Sequence, residues 1–532
     1  MPKPAVRSLA LVAAAVVVAA SLGPSAGART QTENRLRTFT PRALHMAATA
    51  YERSVTVGRP TLRSSSSGTQ RATWQRTEAT GAGAAVPTTT LGFDAITRTG
   101  GNWPADPTGA VGLAHYVTAV NSHYAVYDPT GAEVLRPQGL AGLFALPAGT
   151  QVFDPKVVYD PFRETFVLTF LGVNDGQQRS WILVVSIPDA TADDTSTWCG
   201  SRIDGDRTRG DGRQWPDFPG LGFSLDRVAI TTNRFDYATG DFASAQILSF
   251  PKSSLYNCDA ELRFATFLGA DTLNPDGSPA FTLQPAVSVG ARPTAQYLVS
   301  VEDEKTDLLV VWRLRTSGGK LSLRRAAVEV PRFSIGPYGT QCRGSLTAAN
   351  TWWDPGDTRL VTAFYDADLD RLYTAHSTAK DLGPDAETGD YLESVVRWYE
   401  LEPGSKLASS KLTRRGVIGQ PETDTGLPAV ATDAQGNLWI AYDQASQPNG
   451  ECLSAWAAQV APGKTGADRL LLAEGQARFE ALRGVERWGD YNAVSRDPTD
   501  GTLVAMVGQY ALADGGTSTM DWQQTVHVVS AS

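Results

Sequence analysis

Seven times along the chain an apolar run meets a short turn, and a second apolar run follows. Four copies are clear: "KVVYDPFRETFVLTF" (Lys156 to Phe170), "LVTAFYDADLDRLYTAH" (Leu360 to His376), "PAVATDAQGNLWIAY" (Pro428 to Tyr442) and "AVSRDPTDGTLVAM" (Ala493 to Met506). Looser copies are "GAVGLAHYVTAV" (Gly109 to Val120), "GLGFSLDRVAITT" (Gly220 to Thr232) and "AVSVGARPTAQYLVS" (Ala286 to Ser300). The turns fall near residues 112, 160, 224, 291, 367, 433 and 497, about 64 residues apart on average. Short Val-, Ile-, Leu-, Tyr- and Thr-rich runs bounded by Gly, Pro, Asp and Asn are strand signals.

Further strand-like runs follow most hairpins, among them "SWILVVSI" (Ser180 to Ile187), "DLLVVWRLR" (Asp307 to Arg315), "SVVRWYEL" (Ser394 to Leu401) and "TVHVVS" (Thr525 to Ser530). Four strands per unit, repeated about seven times, predict an all-β chain folded as a β-propeller. Seven blades of four antiparallel strands are expected, with six or eight open because unit lengths vary from about 48 to 76 residues. A pair of β-sandwich domains is the alternative. Radial closure buries both faces of every sheet and shields the edges, which an open stack does not. "TTTLGFDAI" (Thr88 to Ile96) precedes the first hairpin and is expected to supply a strand to the last blade, fastening the ring.

Upstream of this region the texture differs. Lys3 and Arg7 precede the apolar run "LALVAAAVVVAA" (Leu9 to Ala20), and Ala26-Gly27-Ala28 supplies small residues at a cleavage position. Residues 1–28 therefore read as a secretory signal, too short to span a bilayer, and the chain is expected to be secreted and extracellular. Residues 29–87 are rich in Thr, Ser, Arg, Ala and Gly and poor in bulky apolar side chains, as in a low-order linker or propeptide-like arm. Residues 88–532 form the expected propeller domain.

Lys3 and Arg7 leave with the signal and no acid does, so the formal charge moves from −9 to −11. An acidic surface repels phosphate backbones and anionic lipid, so no nucleic-acid or membrane partner is expected, and the protein is expected to be a monomer. Cys199, Cys258, Cys342 and Cys452 allow three pairings, and sequence order favours Cys199 with Cys258 and Cys342 with Cys452. Their spacing does not fit zinc.

An aromatic residue and an Asp stand together before the first strand of five units. They are "NWPADP" (Trp103, Asp106), "VFDP" (Phe153, Asp154), "WPDFP" (Trp215, Asp217), "TWWDP" (Trp352, Trp353, Asp354) and "RWGDY" (Trp488, Asp490). In a propeller these positions ring the mouth of the central channel. Clustered carboxylates repel unless they bind a cation, accept backbone N–H groups or meet a polar ligand. Asp beside Pro also caps its own turn, and Trp at such a place also wedges between blades.

One functional reading is ligand binding, with Trp103, Trp215, Trp353 and Trp488 as a stacking platform and Asp106 and Asp354 fixing hydroxyls of a glycan or other extracellular polymer or protein. A cation at the mouth fits hard oxygen ligands and suggests Ca²⁺; no organic cofactor is implied. "DGDRTRGDG" offers Asp204, Asp206 and Asp211 as a second cation loop without EF-hand spacing. The other reading is catalysis as a glycoside hydrolase or polysaccharide lyase, with two of Asp154, Asp217 and Asp490 as acid and base. No serine-hydrolase elbow, zinc-protease motif or phosphate-binding Gly loop is present. His115 and His123 would lie about 26 Å apart on a continuous strand, so they do not form a shared metal site.

At "WPADPTGAVGLAHYVTAVNSHYAVYDPTG" the chain resembles a group of secreted bacterial β-propeller proteins of unassigned activity, and "FDPKVVYD", "WPDFPGLGFSLDRVAITTN" and "RWGDYNAVSRDPTDG" extend the resemblance from about Asp94 to Tyr510. The resemblance implies fold and export, not a reaction. A broader similarity is to sialidase-type propellers, whose Ser-x-Asp-x-Gly-x-x-Trp box is nearest to "TDAQGNLW" (Thr432 to Trp439). The Asp-to-Gly spacing there is one residue longer, as in non-catalytic sensor and lyase propellers, and no sialidase arginine cluster maps onto this chain.

Overall fold

A computed structural model of the chain describes residues 87–98, 104–208, 213–258, 262–302, 306–342, 352–382, 392–480, 485–513 and 521–531. The expected signal and, apart from Pro87, the arm lie outside the described residues.

Seven four-stranded antiparallel sheets follow in chain order. Blade 1 is Thr108–Val111, Tyr116–Val120, His123–Tyr127 and Glu133–Gly139; blade 2 is Gln151–Asp160, Thr165–Asn174, Arg179–Pro188 and Cys199–Asp204. Blade 3 is Arg213–Phe223, Arg227–Asp236, Phe242–Pro251 and Ala265–Leu268. Blade 4 is Gln284–Pro285, Ala295–Val301, Leu308–Ser317 and Lys320–Glu329. Blade 5 is Thr362–Asp366, Arg371–Lys380, Glu393–Glu402 and Lys411–Ile418; blade 6 is Asp424–Thr432, Leu438–Ser446, Glu451–Val460 and Asp468–Gly475. Blade 7 is Ala493–Arg496, Leu503–Ala511 and Trp522–Ala531, and its outermost strand is Pro87–Thr97 from the start of the described chain.

First strands of successive blades are neighbours, and that of blade 7 lies beside that of blade 1, so the sheets close into a ring. The closing strand is the one expected from "TTTLGFDAI". Val287–Val289 pairs in parallel with the first strands of blades 3 and 5, so two blades read as one continuous sheet through it.

Packing explains the apolar texture. The second strand of blade 2, Thr165–Asn174, is buried along its whole length because both its faces meet other blades. Successive side chains of a strand point to opposite faces. Phe166, Leu168 and Phe170 therefore pack with blade 1, whereas Val167 and Leu171 pack with Leu221 and Ile230 of blade 3. Buried apolar area at roughly 25 cal/mol per Å² makes these gaps the main source of stability.

Polar side chains stitch the blades at one face. Asn121 accepts the backbone N–H of Asp154 at 2.7 Å, Asn233 accepts that of Thr282 at 2.8 Å, and Ser377 accepts that of Leu427 at 3.2 Å. Asn233 and Ser377 lie in the second strand of their blades and Asn121 just past it, and each bonds to the start of the next blade. At the opposite end of blade 6 the turn in "TDAQGNLW" is self-contained: Asp433 accepts from the N–H groups of Gln435 and Asn437 and from the Trp439 indole at 2.9 Å. Gly436 there has φ +82°, which a side chain would strain.

Two disulfides, Cys199–Cys258 and Cys342–Cys452, pair as sequence order favours. The second anchors a small three-stranded sheet, Gly339–Thr340, Trp352–Trp353 and Val485–Glu486, beside the ring. No helix among the described residues is long and apolar enough to cross a membrane.

Candidate functional site

Four of the seven blades begin with a strained backbone. Asp106, Asp154, Phe218 and Leu427 have φ of 47°, 53°, 51° and 55°, and each precedes a proline. In blades 2, 3 and 6 a register shift falls at that place, between Phe153 and Lys156, Asp217 and Gly220, and Gly426 and Ala429. A bulge inserts one unpaired residue and redirects its side chain. A left-handed non-glycine residue costs about 1–2 kcal/mol, so its recurrence at one end of the ring must be offset by the bonds that hold it. Asn121 supplies one such bond.

Asp106, Asp154 and Asp490, from blades 1, 2 and 7, converge until one oxygen of each lies within 4.8 Å of the others. Asp106 is fully buried; it accepts the Asp490 N–H at 2.7 Å and an Asn121 amide N–H at 2.5 Å. Arg487 pairs with Asp490 and is half exposed. The Lys156 ammonium lies 3.0 Å from the centroid of the Tyr491 ring, whose hydroxyl donates to the Pro155 carbonyl at 2.8 Å. Arg359 sits over the rings of Phe218 and Phe281 and chelates Asp357 at 2.6 and 2.8 Å.

Crowding shows in the protonation equilibria. Burial, then repulsion from Asp490, pushes Asp106 up to about 7. Burial and the charges of Asp217, Asp106 and Asp490 hold Asp154 well above the usual carboxylate range. Burial lifts Asp217 to about 6 against the pull of Arg487, and it also raises Asp354. Burial lowers Lys156 to about 7, although Asp154, Asp106 and Asp490 oppose it. For Asp357 burial is outweighed by the Arg359 charge and hydrogen bonds, and its pKa falls.

The structure thus gathers three of the five doublet acids, Asp106, Asp154 and Asp490, and turns Trp353 and Trp488 into the core. Trp353 and Trp488 are completely buried, packed in the core that joins blades 1 and 7. The Trp488 indole N–H donates to buried Asp443 at 3.1 Å. Stacking needs an open ring face, so neither belongs to a ligand platform, and that expectation is corrected. Trp215 is partly buried against Phe235 and Tyr237, and Trp103 lies outside the described residues. Asp217 and Phe218 differ from the blade 2 pattern by one position: Phe218 takes the left-handed place that Asp154 has, and Asp217 sits one residue earlier. Asp354 caps the N–H of Gly356 at 3.1 Å.

The acidic loop after blade 2 is also corrected as a cation site. Asp206 pairs with Arg179 at 2.7 Å and accepts from the Ser180 hydroxyl at 2.7 Å, with Arg213 at 3.9 Å, while exposed Asp204 faces Arg179. Both described acids of the loop are thus engaged by guanidinium groups. Asp211 lies outside the described residues.

Sequence reasoning passed over Asn121, Lys156, Arg359, Arg487 and Tyr491. Two places carried a signal: Asn121 stands in the Val-Asn of the resemblance, and Arg487 and Tyr491 flank Trp488 and Asp490 in "RWGDY". Arg359 carried none, since nothing local to it indicates the mouth.

No known protein family matches the chain, and no curated protein does. Solved structures with similar shape include a hypothetical selenium-binding protein from Sulfolobus tokodaii, at 13% identity and a TM-score of 0.39, covering 68% of this chain and 76% of that one. An alpha-L-arabinanase from Penicillium chrysogenum, complexed with arabinobiose, is 9% identical with a TM-score of 0.38, covering 84% and 99%. The endosialidase of phage phi92 is 9% identical with a TM-score of 0.36, covering 85% and 69%. The propeller fold rests on the seven sheets themselves, and no activity is carried over from these proteins.

Proposed function

We propose that this protein is an exported, monomeric binding propeller. In this reading the mouth formed by blades 1, 2 and 7 holds a divalent cation and, through it, a polyhydroxylated ligand such as an extracellular glycan. The observation that carries this is the meeting of Asp106, Asp154 and Asp490 within 4.8 Å. Two buried carboxylates and a partly buried third repel one another when charged, and a dication between them converts that cost into binding energy. Ca²⁺ takes six to eight oxygen ligands at about 2.3–2.6 Å, so three carboxylates leave positions for water or for sugar hydroxyls. Lys156, Arg359 and Arg487 stand close enough to act electrostatically on these acids and would orient the ligand's oxygens. The apolar signal-like start and the two disulfides support export.

A second reading keeps the same residues as a hydrolase or lyase. It is favoured by the unequal acids: Asp217 and Asp106, raised to about 6 and about 7, hold protons at mildly acidic pH beside Asp490, which is paired with Arg487. A carboxyl group that keeps its proton this close to neutral pH can serve as the general acid of glycoside hydrolysis.

Calorimetric titration of Ca²⁺ into chelator-treated protein, followed by a glycan array with and without chelator, tests the first reading. Wild type is expected to bind one ion, Asp154→Asn to bind it at least tenfold more weakly, and glycan capture to need the ion. No ion bound by wild type at millimolar Ca²⁺ refutes the cation. Release of reducing ends from an array glycan by wild type but not by Asp217→Asn would establish the second reading instead.

A further inference from the structure

The outer hairpin of blade 4 carries charge of one sign. Residues 308–328 hold five cationic side chains and no acid, in a chain whose formal charge is −9. Residues 403–418, which end in the outermost strand of blade 5, hold four and no acid. Gly318 and Gly319 turn the hairpin with φ of 56° and 76°, as a two-residue turn with both central residues left-handed requires. That turn fixes the register of Leu308–Ser317 against Lys320–Glu329, setting Arg313 directly opposite Arg324 and Ser317 opposite Lys320. Like charges facing each other across a sheet are destabilising.

Alternation along the strands gathers these side chains on one wall. Leu309 and Val311 pack with Tyr399, Leu401 and Leu407 of blade 5, so Arg313 and Arg315, two and four residues on from Val311, face blade 5 as well. Arg313 spans the gap and donates to the Ser405 carbonyl at 3.2 Å. On the facing wall Arg415 stands opposite Tyr399. Arg315, Lys320, Arg324 and Arg415 are exposed, and among the described residues none of them forms an ion pair. Acids of the neighbouring strand are already engaged: Glu400 pairs with Arg371 and Arg414, and Glu402 with Arg371 and Lys411. Asp370, whose charge acts on Tyr297 along with those of Arg313 and Arg315, accepts the Tyr365 hydroxyl at 2.9 Å.

Charge on an outermost strand protects a free edge, which accounts for Lys320 and Arg324. It does not account for Arg313 and Arg315 on the strand inside, nor for a single sign on both walls. A partner that supplies anions does. Arg313 and Arg315 are about 7 Å apart along the strand, and Arg313 and Arg324 about 5 Å apart across it, so the anions must recur at close intervals. Arginine meets planar and tetrahedral oxyanions with paired hydrogen bonds. No large apolar side chain within residues 308–328 or 403–418 is exposed, so the patch lacks the anchor of a protein interface. Tyr297, Trp312 and Tyr399 are buried, which leaves none of these rings open to stack on a base.

We propose that the cleft between the outer strands of blades 4 and 5 binds a linear anionic glycan, whose carboxylate or sulfate groups pair with Arg313, Arg315, Arg324 and Arg415. Lys320 extends the row toward the hairpin turn. The surface uses no residue of the acidic mouth and no metal ion.

Fluorescence anisotropy of labelled heparin and polygalacturonate oligosaccharides, titrated with the full-length protein in chelator, tests this. Chelator removes any ion from the mouth, so the cation reading can fail without touching the result. Wild type is expected to bind at least one of the two glycans and to release it between about 50 and 200 mM salt, as counterions return. Arg315→Ser with Arg324→Ser breaks no ion pair and relieves the charge opposite Arg313, so its melting temperature is expected to be no lower than that of wild type. Its affinity is expected to fall on the order of tenfold. Arg136→Ser with Arg202→Ser removes two exposed arginines from the outermost strands of blades 1 and 2, an equal change in net charge, and is expected to leave affinity unchanged. Binding of neither glycan at about 50 mM salt overturns the proposal, as do equal losses in the two double variants. Tighter binding of DNA than of either glycan also overturns it, because the patch then serves a nucleic acid.

Discussion

Asn121→Ala is the most informative single change outside the acids. Asn121 donates to the Pro104 carbonyl at 2.9 Å and to Asp106 at 2.5 Å, and it accepts the N–H of Asp154 at 2.7 Å. It is 7% exposed, so water replaces it poorly. Truncation strands a backbone N–H, a carbonyl and a carboxylate oxygen, at about 1–3 kcal/mol for each buried unsatisfied group. Allowing for partial rescue by entering water, the loss is about 3–6 kcal/mol. It falls on the left-handed Asp154, so the bulge is expected to relax and the three-acid cluster to spread. Asn233→Ala removes two bonds, to the Thr282 N–H and hydroxyl, on a blade junction without the three acids. That variant is expected to lose about 2–4 kcal/mol. Urea unfolding followed by tryptophan fluorescence measures both, and Ca²⁺ titration of the folded variants separates them: Asn121→Ala weakens the ion, Asn233→Ala does not. A loss below about 1 kcal/mol for Asn121→Ala would refute the reasoning, as would equal ion affinity in the two variants.

Stability is expected to fall as pH rises from about 5 to 8. Burial lifts Asp443 to about 7 and Asp424 to about 6, so the folded state keeps protons that the unfolded chain releases near pH 4. Each tenfold difference in proton affinity between the two states removes about 1.4 kcal/mol of stability once the pH exceeds both pKa values. Urea midpoints at pH 5 and pH 8 check the sign, and a higher midpoint at pH 8 contradicts it. Replacing Cys342 and Cys452 by Ser frees a 110-residue separation, worth about 5 kcal/mol of unfolded-chain entropy, against about 4 kcal/mol for the 59 residues between Cys199 and Cys258. Thermal melts of the two double variants should rank in that order. Deleting residues 87–97 bares the Trp522–Ala531 edge of blade 7, and light scattering should then show larger assemblies than the full chain forms.

The ring was readable because its signals are local and periodic. A turn after each inner strand, alternation that becomes continuous burial, and a lone strand before the first hairpin are visible within fifteen residues. The site was readable in part. Asp154 and Asp217, each beside a proline, stand at bulges, and period-two reasoning fails across an inserted residue. That Trp488 faces the core goes with its bond to Asp443, 45 residues away. The one-residue difference between "VFDP" and "WPDFP" put Phe218 where Asp154 led one to expect an acid. Arg359 reaches the mouth through tertiary packing alone. Asp106 and Asp490 meet across 384 residues of chain, a closeness that only ring closure creates.

In the proposed site, ring closure gathers three acids from distant parts of the chain around one cation. Anomalous diffraction from crystals grown with Mn²⁺ as a Ca²⁺ surrogate tests this most directly. A peak within about 2.0–2.6 Å of oxygens from Asp106, Asp154 and Asp490 is the expected result. No peak there at millimolar Mn²⁺, or a peak at Asp204 and Asp206 in its place, would contradict it.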